Sequence, residues 1–351
     1  MRKIILLLFL PLIIVSCKKD PIDKTDFPYE DSNIKLECFP IVNVNTSIVD
    51  LGFIDESNGI IISYYGKVFM TNDKGISWNL KYSPSGTNEF FNEVLFLDDK
   101  IAYVVGTYHG SNKPGNKPQG GFVLKTEDAG QTWKNILEIS GSVEFESIAK
   151  NSKGDIFIVQ SGYLNGKSFA KILKTADEGL SWSVVDSVNY PLLKITFSGS
   201  FGFCYGGYNE DYAKILRSID NGKNWNETIK VDGHAVNDIQ FYQNTGCYIL
   251  NNSIYRTLNF GATWLTINSP AASVSSIIAI GSNSYLVCGA TKSKGINGEY
   301  LTGSLYQTLD GGKSWFEHKI KDIRPLRKPS FFLPNQGYAL MSGKLVKITI
   351  K

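Results

Sequence analysis

Six stretches of eight residues align in this chain without a gap, and together they hold every tryptophan it contains. They are TNDKGISW (71–78), TEDAGQTW (126–133), TADEGLSW (175–182), SIDNGKNW (218–225), TLNFGATW (257–264) and TLDGGKSW (308–315). The third position of each box is Asp73, Asp128, Asp177, Asp220, Asn259 or Asp310. The fifth is Gly75, Gly130, Gly179, Gly222, Gly261 or Gly312, and the eighth is Trp78, Trp133, Trp182, Trp225, Trp264 or Trp315. Successive tryptophans lie 55, 49, 43, 39 and 51 residues apart. That is the period of an architecture in which each repeat is one small sheet.

Each box reads as a turn between two strands. The acid accepts backbone N–H groups across the turn, and the glycine takes the positive φ that a side chain would penalise. The tryptophan opens the outgoing strand and buries a large aromatic surface. Asn259 keeps the carbonyl acceptor, so the fifth turn should persist. A short apolar strand precedes each box (GKVFM, GFVLK, AKILK, AKILR, NSIYR, GSLYQ), and another lies before that, as in IAYVVGT (101–107) or SYLVCG (284–289). A further strand such as VSSIIAI (274–280) opens the unit. The repeat is therefore strand a, strand b, strand c, box, strand d. A seventh copy runs from Ser330 to the last residue with three strands and no box, and IKLECFPIV (34–42) can supply its missing strand. The expected fold is all-β: a seven-bladed β-propeller of four-stranded antiparallel blades, closed by pairing the first strand with the last. Six blades plus a tail is the alternative.

The first residues do not fit this pattern. Arg2 and Lys3 precede an apolar run from Ile4 to Val15, too short for a permanent span and suited to a signal peptide. The run ends Ile14-Val15-Ser16-Cys17, which resembles a bacterial lipobox. The resemblance implies lipid attachment to Cys17, cleavage before it, and a protein held in the cell envelope by several acyl chains. Residues 1–17 are thus assigned to the leader and anchor, 18–33 to a polar tether broken by prolines, and 34–351 to one propeller. An outer-membrane address is expected, with the leaflet open. Arg2 and Lys3 leave with the leader, and 34 basic residues then face 33 acidic ones. That balance gives no electrostatic case for nucleic acid. Cys38, Cys204, Cys247 and Cys288 match no zinc or disulfide spacing, and the last three sit in apolar runs as small buried residues.

The boxes resemble the BNR/Asp-box repeat of sialidases, sortilin-type receptors and the photosystem II assembly/stability factor propellers. The likeness covers the chain from about residue 34. Size and simple blades are most similar to the photosystem II assembly factor type, which implies a scaffold or assembly factor and no enzyme. The arginine-rich patch of that family has no counterpart here, because arginine is scarce. Sialidase activity would need an arginine triad. Apart from Arg2 the chain has only Arg217, Arg256, Arg324 and Arg327, and the first two share one repeat position with Lys125 and Lys174. His109, His234 and His318 have no metal-ligand spacing, and one acid per box makes no calcium site. No catalytic residue, metal or cofactor is assigned.

Propeller topology places the b–c and d–a connections on one face, opposite the boxes. The b–c connections are long in blades 2, 3, 4 and 6, and such loops on a rigid scaffold carry recognition. They hold Tyr108, His109, Lys113, Lys117, Tyr163, Asn165, Tyr208, Tyr212, Lys292, Lys294 and Tyr300; the d–a connections add Phe90, Phe91, His234, Arg324 and Arg327. This face is the expected binding surface for an envelope protein, with a glycan as the alternative ligand and a sialidase-like glycosidase as the alternative activity. A hydrolase would need carboxylates converging on a central pocket, and the loops offer Glu210, Asp211 and Glu299.

Overall fold

The computed structural model describes residues 34–41, 44, 46–86, 88–110, 116–207, 212–232, 236–295, 298–319, 326–341 and 343–351. The side chains of 212–213, 230–232, 293–295, 298–301 and 319 lie outside that description, as do residues 1–33, where the leader, Cys17 and the tether are expected.

Every regular element among these residues is a strand. The chain begins with β1 (Ile34–Pro40). Blade 1 follows as β2 (Ile48–Phe53), β3 (Gly59–Ser63), β4 (Val68–Thr71) and β5 (Asn79–Tyr82). Blade 2 comprises β6 (Glu89–Phe96), β7 (Ala102–Tyr108), β8 (Gly120–Thr126) and β9 (Lys134–Ser140). Blade 3 is β10 (Val143–Lys150), β11 (Ile156–Leu164), β12 (Lys167–Thr175) and β13 (Ser183–Val188). Blade 4 is β14 (Leu192–Ser198), β15 (Phe201–Gly206), β16 (Tyr212–Ser218) and β17 (Asn226–Asp232). Blade 5 is β18 (Asp238–Tyr242), β19 (Thr245–Leu250), β20 (Ser253–Thr257) and β21 (Leu265–Ile267). Blade 6 is β22 (Ser273–Ala279), β23 (Tyr285–Gly295), β24 (Gly298–Thr308) and β25 (Phe316–Lys319). Blade 7 is β26 (Arg327–Leu333), β27 (Gln336–Met341) and β28 (Lys344–Ile350), completed by β1. The sheets form seven separate four-stranded antiparallel blades, which makes the fold a seven-bladed β-propeller.

Burial explains the composition of the strands. Each blade is sandwiched between two others, so its middle strands have no solvent face; β3, β4, β7 and β8 are buried at every position. Alternate residues face opposite neighbours. Ile60 and Ile62 pack with blade 2, while Ile61 packs with blade 7. Cys204, Cys247 and Cys288 are buried between different pairs of blades as reduced thiols.

The boxes join strands c and d as expected, through a fuller set of bonds than the acid alone. In the second box Thr126 Oγ1 donates to Asp128 Oδ1 at 2.9 Å and accepts from Gly130 N at 2.9 Å. Thr132 then donates to Asp128 through its N–H at 2.8 Å and its hydroxyl at 2.6 Å. These bonds, the Thr132 hydroxyl first, hold the Asp128 carboxyl down at about 2. Asn259 reproduces the arrangement: Thr263 N donates to Oδ1 at 2.9 Å, and Nδ2 donates to Thr263 Oγ1 at 3.0 Å. The fourth position is left-handed as well as the fifth, as at Asn221 (φ 63°) before Gly222 (φ 79°).

Each box also leans on the preceding blade. A Cβ on Gly222 would lie 2.5 Å from the Phe157 ring of blade 3, and one on Gly261 would lie 2.7 Å from Phe203 of blade 4. Trp225 meets Phe157 edge-on, with ring centroids 6.5 Å apart. From the other side, the residue before the box reaches forward: Arg217 Nε donates to Phe260 O at 2.6 Å, and Lys125 pairs with Glu178 at 3.1 Å. Arg217 is therefore engaged in joining blade 4 to blade 5.

Ring closure is a strand pairing. β1 and β28 run antiparallel from Ile34↔Ile350 to Pro40↔Lys344, and Ile34, Ile348 and Val346 share the core between blades 6 and 7.

Gly222→Ala combines a positive φ with a clash against Phe157, whereas Gly154→Ala has a positive φ (89°) and open space. Chemical denaturation should show a loss of about 1 kcal/mol for Gly154→Ala and about 2–4 kcal/mol for Gly222→Ala. Equal losses would mean that contact with the preceding blade is immaterial.

Candidate functional site

The innermost strands around the axis are β2, β6, β10, β14, β18, β22 and β26, and most carry a register shift near their start. It falls between Ile48 and Asp50, Phe91 and Glu93, Phe145 and Ser147, Leu192 and Lys194, and Val274 and Ser276. A bulge re-aims the side chains beside it. Here it brings a polar residue of one inner strand against the backbone of the next. Val94 N donates to Asp50 Oδ2 at 3.1 Å, Ile148 N to Glu93 Oε2 at 2.9 Å, and Ile195 N to Ser147 Oγ at 3.1 Å. Ile277 N donates to Asp238 Oδ2 at 3.1 Å, and Phe53 N to Ser330 Oγ at 3.0 Å.

Charges gather on this ring. Lys194 Nζ lies 2.7 Å from Glu93 Oε1, and Lys328 Nζ lies 3.6 Å from Asp50 Oδ1. Ser147 also donates to Glu93 through its hydroxyl. Burial opposes ionisation of Glu93, but Lys194 and Lys328 prevail and hold it below the usual carboxylate range. Asp50 and Asp238 go the other way, raised chiefly by burial. Burial lowers Lys194, but Glu93 and Asp50 raise it overall. Half-buried Glu146, which occupies the bulge of β10, is pushed up to about 7 by burial first and Glu144 second, against Lys194. None of these residues stood out in the sequence. The available signal was a charge inside an otherwise apolar strand, as in NEVLF or LLKITF.

At the rim of the same face, aromatic rings form an exposed group. Tyr64 and Tyr65 follow β3, with centroids 5.3 Å apart, and Phe90 of β6 lies 4.9 Å from Tyr64 and 6.0 Å from Tyr65. His109 lies 4.3 Å from Phe90. Tyr64 is 40% exposed and Tyr65 58%, enough to meet a ligand. Asn88 ties the group together: its Nδ2 donates to His109 O at 2.8 Å and Lys117 O at 2.7 Å. Beside Tyr65, a hollow of about 260 Å³ reaches Lys67 and Glu89. Glu89 is raised by burial against the Tyr82 hydroxyl, which donates to it at 2.8 Å.

The structure divides the residues expected on this face. His109 is exposed in the aromatic group, Tyr163 is exposed at a hairpin tip, and Lys292 and Arg327 are exposed on β23 and β26. Tyr108 is a correction: it is 3% exposed and stacks on Phe122 at 4.2 Å, because it falls on the same side of β7 as Val104. Phe91 is likewise core, on β6 rather than in a connection. Lys117 is committed to Glu138 at 3.3 Å. Two long b–c connections are hairpins: β11 and β12 pair out to Leu164↔Lys167, and β23 and β24 out to Gly295↔Gly298. Tyr212 lies on β16, and Lys294 and Tyr300 on the blade 6 hairpin, with side chains outside the description. Lys113, Tyr208, His234 and Arg324 lie outside the described residues, as do Glu210 and Asp211. Among the described residues, no three His, Cys, Asp or Glu side chains are placed to hold a metal.

No protein-family model matches the sequence, and no curated protein matches it. Solved structures do resemble the fold. YCF48 bound to D1 peptide superposes with a TM-score of 0.66 at 19% identity, covering 92% of this chain and 99% of that one. YCF48 from Cyanidioschyzon merolae gives 0.64 at 17% identity, with 90% and 98% covered. A streptogramin B lyase gives 0.63 at 12% identity, with 91% and 98% covered. At these identities the likeness establishes the propeller; the last neighbour is an enzyme, so the fold leaves activity to be argued from the site.

Glu146 supplies a pH test. A carboxyl raised in the folded state favours folding when protonated, so its contribution is complete below about 4.5 and is lost as pH rises through about 7. Glu146→Gln should therefore melt higher than the parent at pH 8, by the equivalent of roughly 1 kcal/mol after solvent screening. The gap should close by pH 4.5, and a pH-independent gap in thermal melts would contradict the assignment.

Proposed function

We propose that this protein is a non-catalytic, lipid-anchored lipoprotein of the bacterial cell envelope that acts as a protein-binding scaffold or assembly factor. Its boxes are read as Asp-box repeats of the BNR type on a scaffold like that of the photosystem II assembly factors. The face carrying the b–c and d–a connections meets the partner. The observation that carries this reading is the exposed group of Tyr64, Tyr65, Phe90 and His109 at the rim of the charged axial mouth. Aromatic side chains give contact area with little entropy to lose, and they dominate the energetics of protein interfaces. The similarity to YCF48 with a D1 peptide bound supports a peptide or protein ligand.

A glycan ligand, or glycoside hydrolysis, has one observation in its favour. Carboxylates do gather toward the axis, with Glu146 raised to about 7 and Glu93 held ionised. Two carboxyls with separated values are what acid–base glycosidases use. Glu93, however, is engaged by Lys194, Ser147 and Ile148 N, which makes it a bonded element of the ring.

Affinity capture from envelope membranes should recover partners with the parent protein that a Tyr65→Ala, Phe90→Ala variant recovers about tenfold less, at unchanged thermal stability. Equal recovery would defeat the choice of face, and turnover of sialyl or plant-type oligosaccharides would defeat the non-enzymatic reading. Cys17→Ser should move the protein from the membrane fraction to the soluble envelope fraction; retention in the membrane would remove the anchor from the proposal.

A further inference from the structure

Blade 3 has an opening of about 680 Å³ at the place where its third and fourth strands diverge. β11 and β12 remain paired to Leu164↔Lys167, joined by Asn165 and Gly166 with φ of 51° and 77°. Two left-handed central residues define a two-residue turn whose closing pair is hydrogen-bonded. β13 stops short of this, with Val188 opposite Ala170. Lys167, Ser168 and Phe169 are therefore paired with β11 on one side and bordered by the opening on the other.

Hydrogen-bonded pairs alternate along an antiparallel ladder. Counted from the turn, they are Leu164/Lys167, Gly162/Phe169 and Gln160/Lys171. The N–H and C=O of Ser168 thus face away from β11, along the line that β13 leaves. The same alternation sets Lys167, Phe169 and Lys171 on one side of β12, with Lys171 Nζ 5.8 Å from the centre of the Phe169 ring. Tyr190 and Val188 form the other wall. Among the described residues neither Lys167 nor Lys171 pairs with a carboxylate. Glu227 of the adjoining blade is already held by Lys214 at 3.4 Å and by the Tyr190 hydroxyl at 3.2 Å.

We infer that this notch binds an extended acidic segment of a partner protein. The segment adds to the edge at Ser168 through its backbone, sets carboxylates on Lys167 and Lys171 on one side, and rests its alternate, apolar side chains on Val188 and Tyr190 on the other. Lysines on a free edge deter indiscriminate strand pairing; an acidic partner turns the same charges into attraction, so charge selects the strand that is admitted. This rests on the protein-binding reading above and gives part of that face a specific partner chemistry.

The test is fluorescence anisotropy with the full-length protein in detergent and a labelled peptide of alternating Glu and Val. The comparison probes are a Lys/Val peptide, the acidic peptide with alternate amides N-methylated, and a trigalacturonate. The acidic peptide should bind at least about tenfold more tightly than the basic one, and Lys167→Glu with Lys171→Glu should weaken it about tenfold or more. N-methylation should weaken it about fivefold or more. Tyr65→Ala with Phe90→Ala should leave it unchanged, so the result is independent of the capture experiment above. Equal affinity for acidic and basic peptides, or an affinity untouched by the lysine substitutions in a variant with parental melting, would overturn the inference. So would undiminished binding of the N-methylated peptide, loss of binding in the aromatic variant, or lysine-dependent binding of trigalacturonate alone.

Discussion

Strand pairing in this molecule ends at the edge of each blade, because the seven sheets are separate ladders. What joins them is side-chain packing, and it is distributed with unusual regularity. Seven apolar cores are present among the described residues, and each lies between two consecutive blades. A blade therefore has no solvent face along its middle strands, and those strands must be apolar at successive positions instead of alternating. The same constraint explains the boxes. They turn the chain from strand c to strand d, and their glycine lets that turn settle onto the previous blade. Turn geometry and blade packing are thus satisfied by one residue.

Close to the axis the packing becomes polar. Inner strands have no further strand on their axial side, and Asp50, Glu93, Ser147, Asp238 and Ser330 accept from amide groups of neighbouring blades. Lys194 pairs with Glu93 and Lys328 with Asp50, so two of the three acids are compensated within the ring. Such a network confers geometric uniqueness more readily than stability, since desolvation takes back much of the Coulomb attraction. It leaves a rigid, polar mouth surrounded by connections that differ from blade to blade. The aromatic group on blades 1 and 2 and the notch on blade 3 both belong to that variable rim.

Much of this was legible in the residues. The tryptophan spacing gave the blade period, the box with its flanking strands gave strand order, and the boxless seventh copy together with IKLECFPIV gave the seventh blade and the closure. Contacts between blades were not legible, because nothing local marks them: Lys194 meets Glu93 across 101 residues of sequence. Other misses had a visible cause. Tyr108 shares the strand parity of Val104, which assigns it to the core. Asn165-Gly166 is a two-residue turn signal, so a hairpin could have been read where a loop was expected. Tyr64 and Tyr65 were not among the residues expected on the binding face, although the turn residue Gly66 follows directly.

The pairing of β1 with β28 also sets the order of events in folding. Ile34 must meet Ile350, so the last blade takes its outer strand from the first described strand and its other three from the last ones. A contact of that span is among the slowest to form. During synthesis, the early blades can assemble while Ile34–Pro40 still waits for a partner. The ring stays an open arc, with the faces of blades 1 and 6 uncovered, until the final strands emerge. Completion is then a single concerted step, in which blade 7 forms its sheet and covers both flanking faces at once.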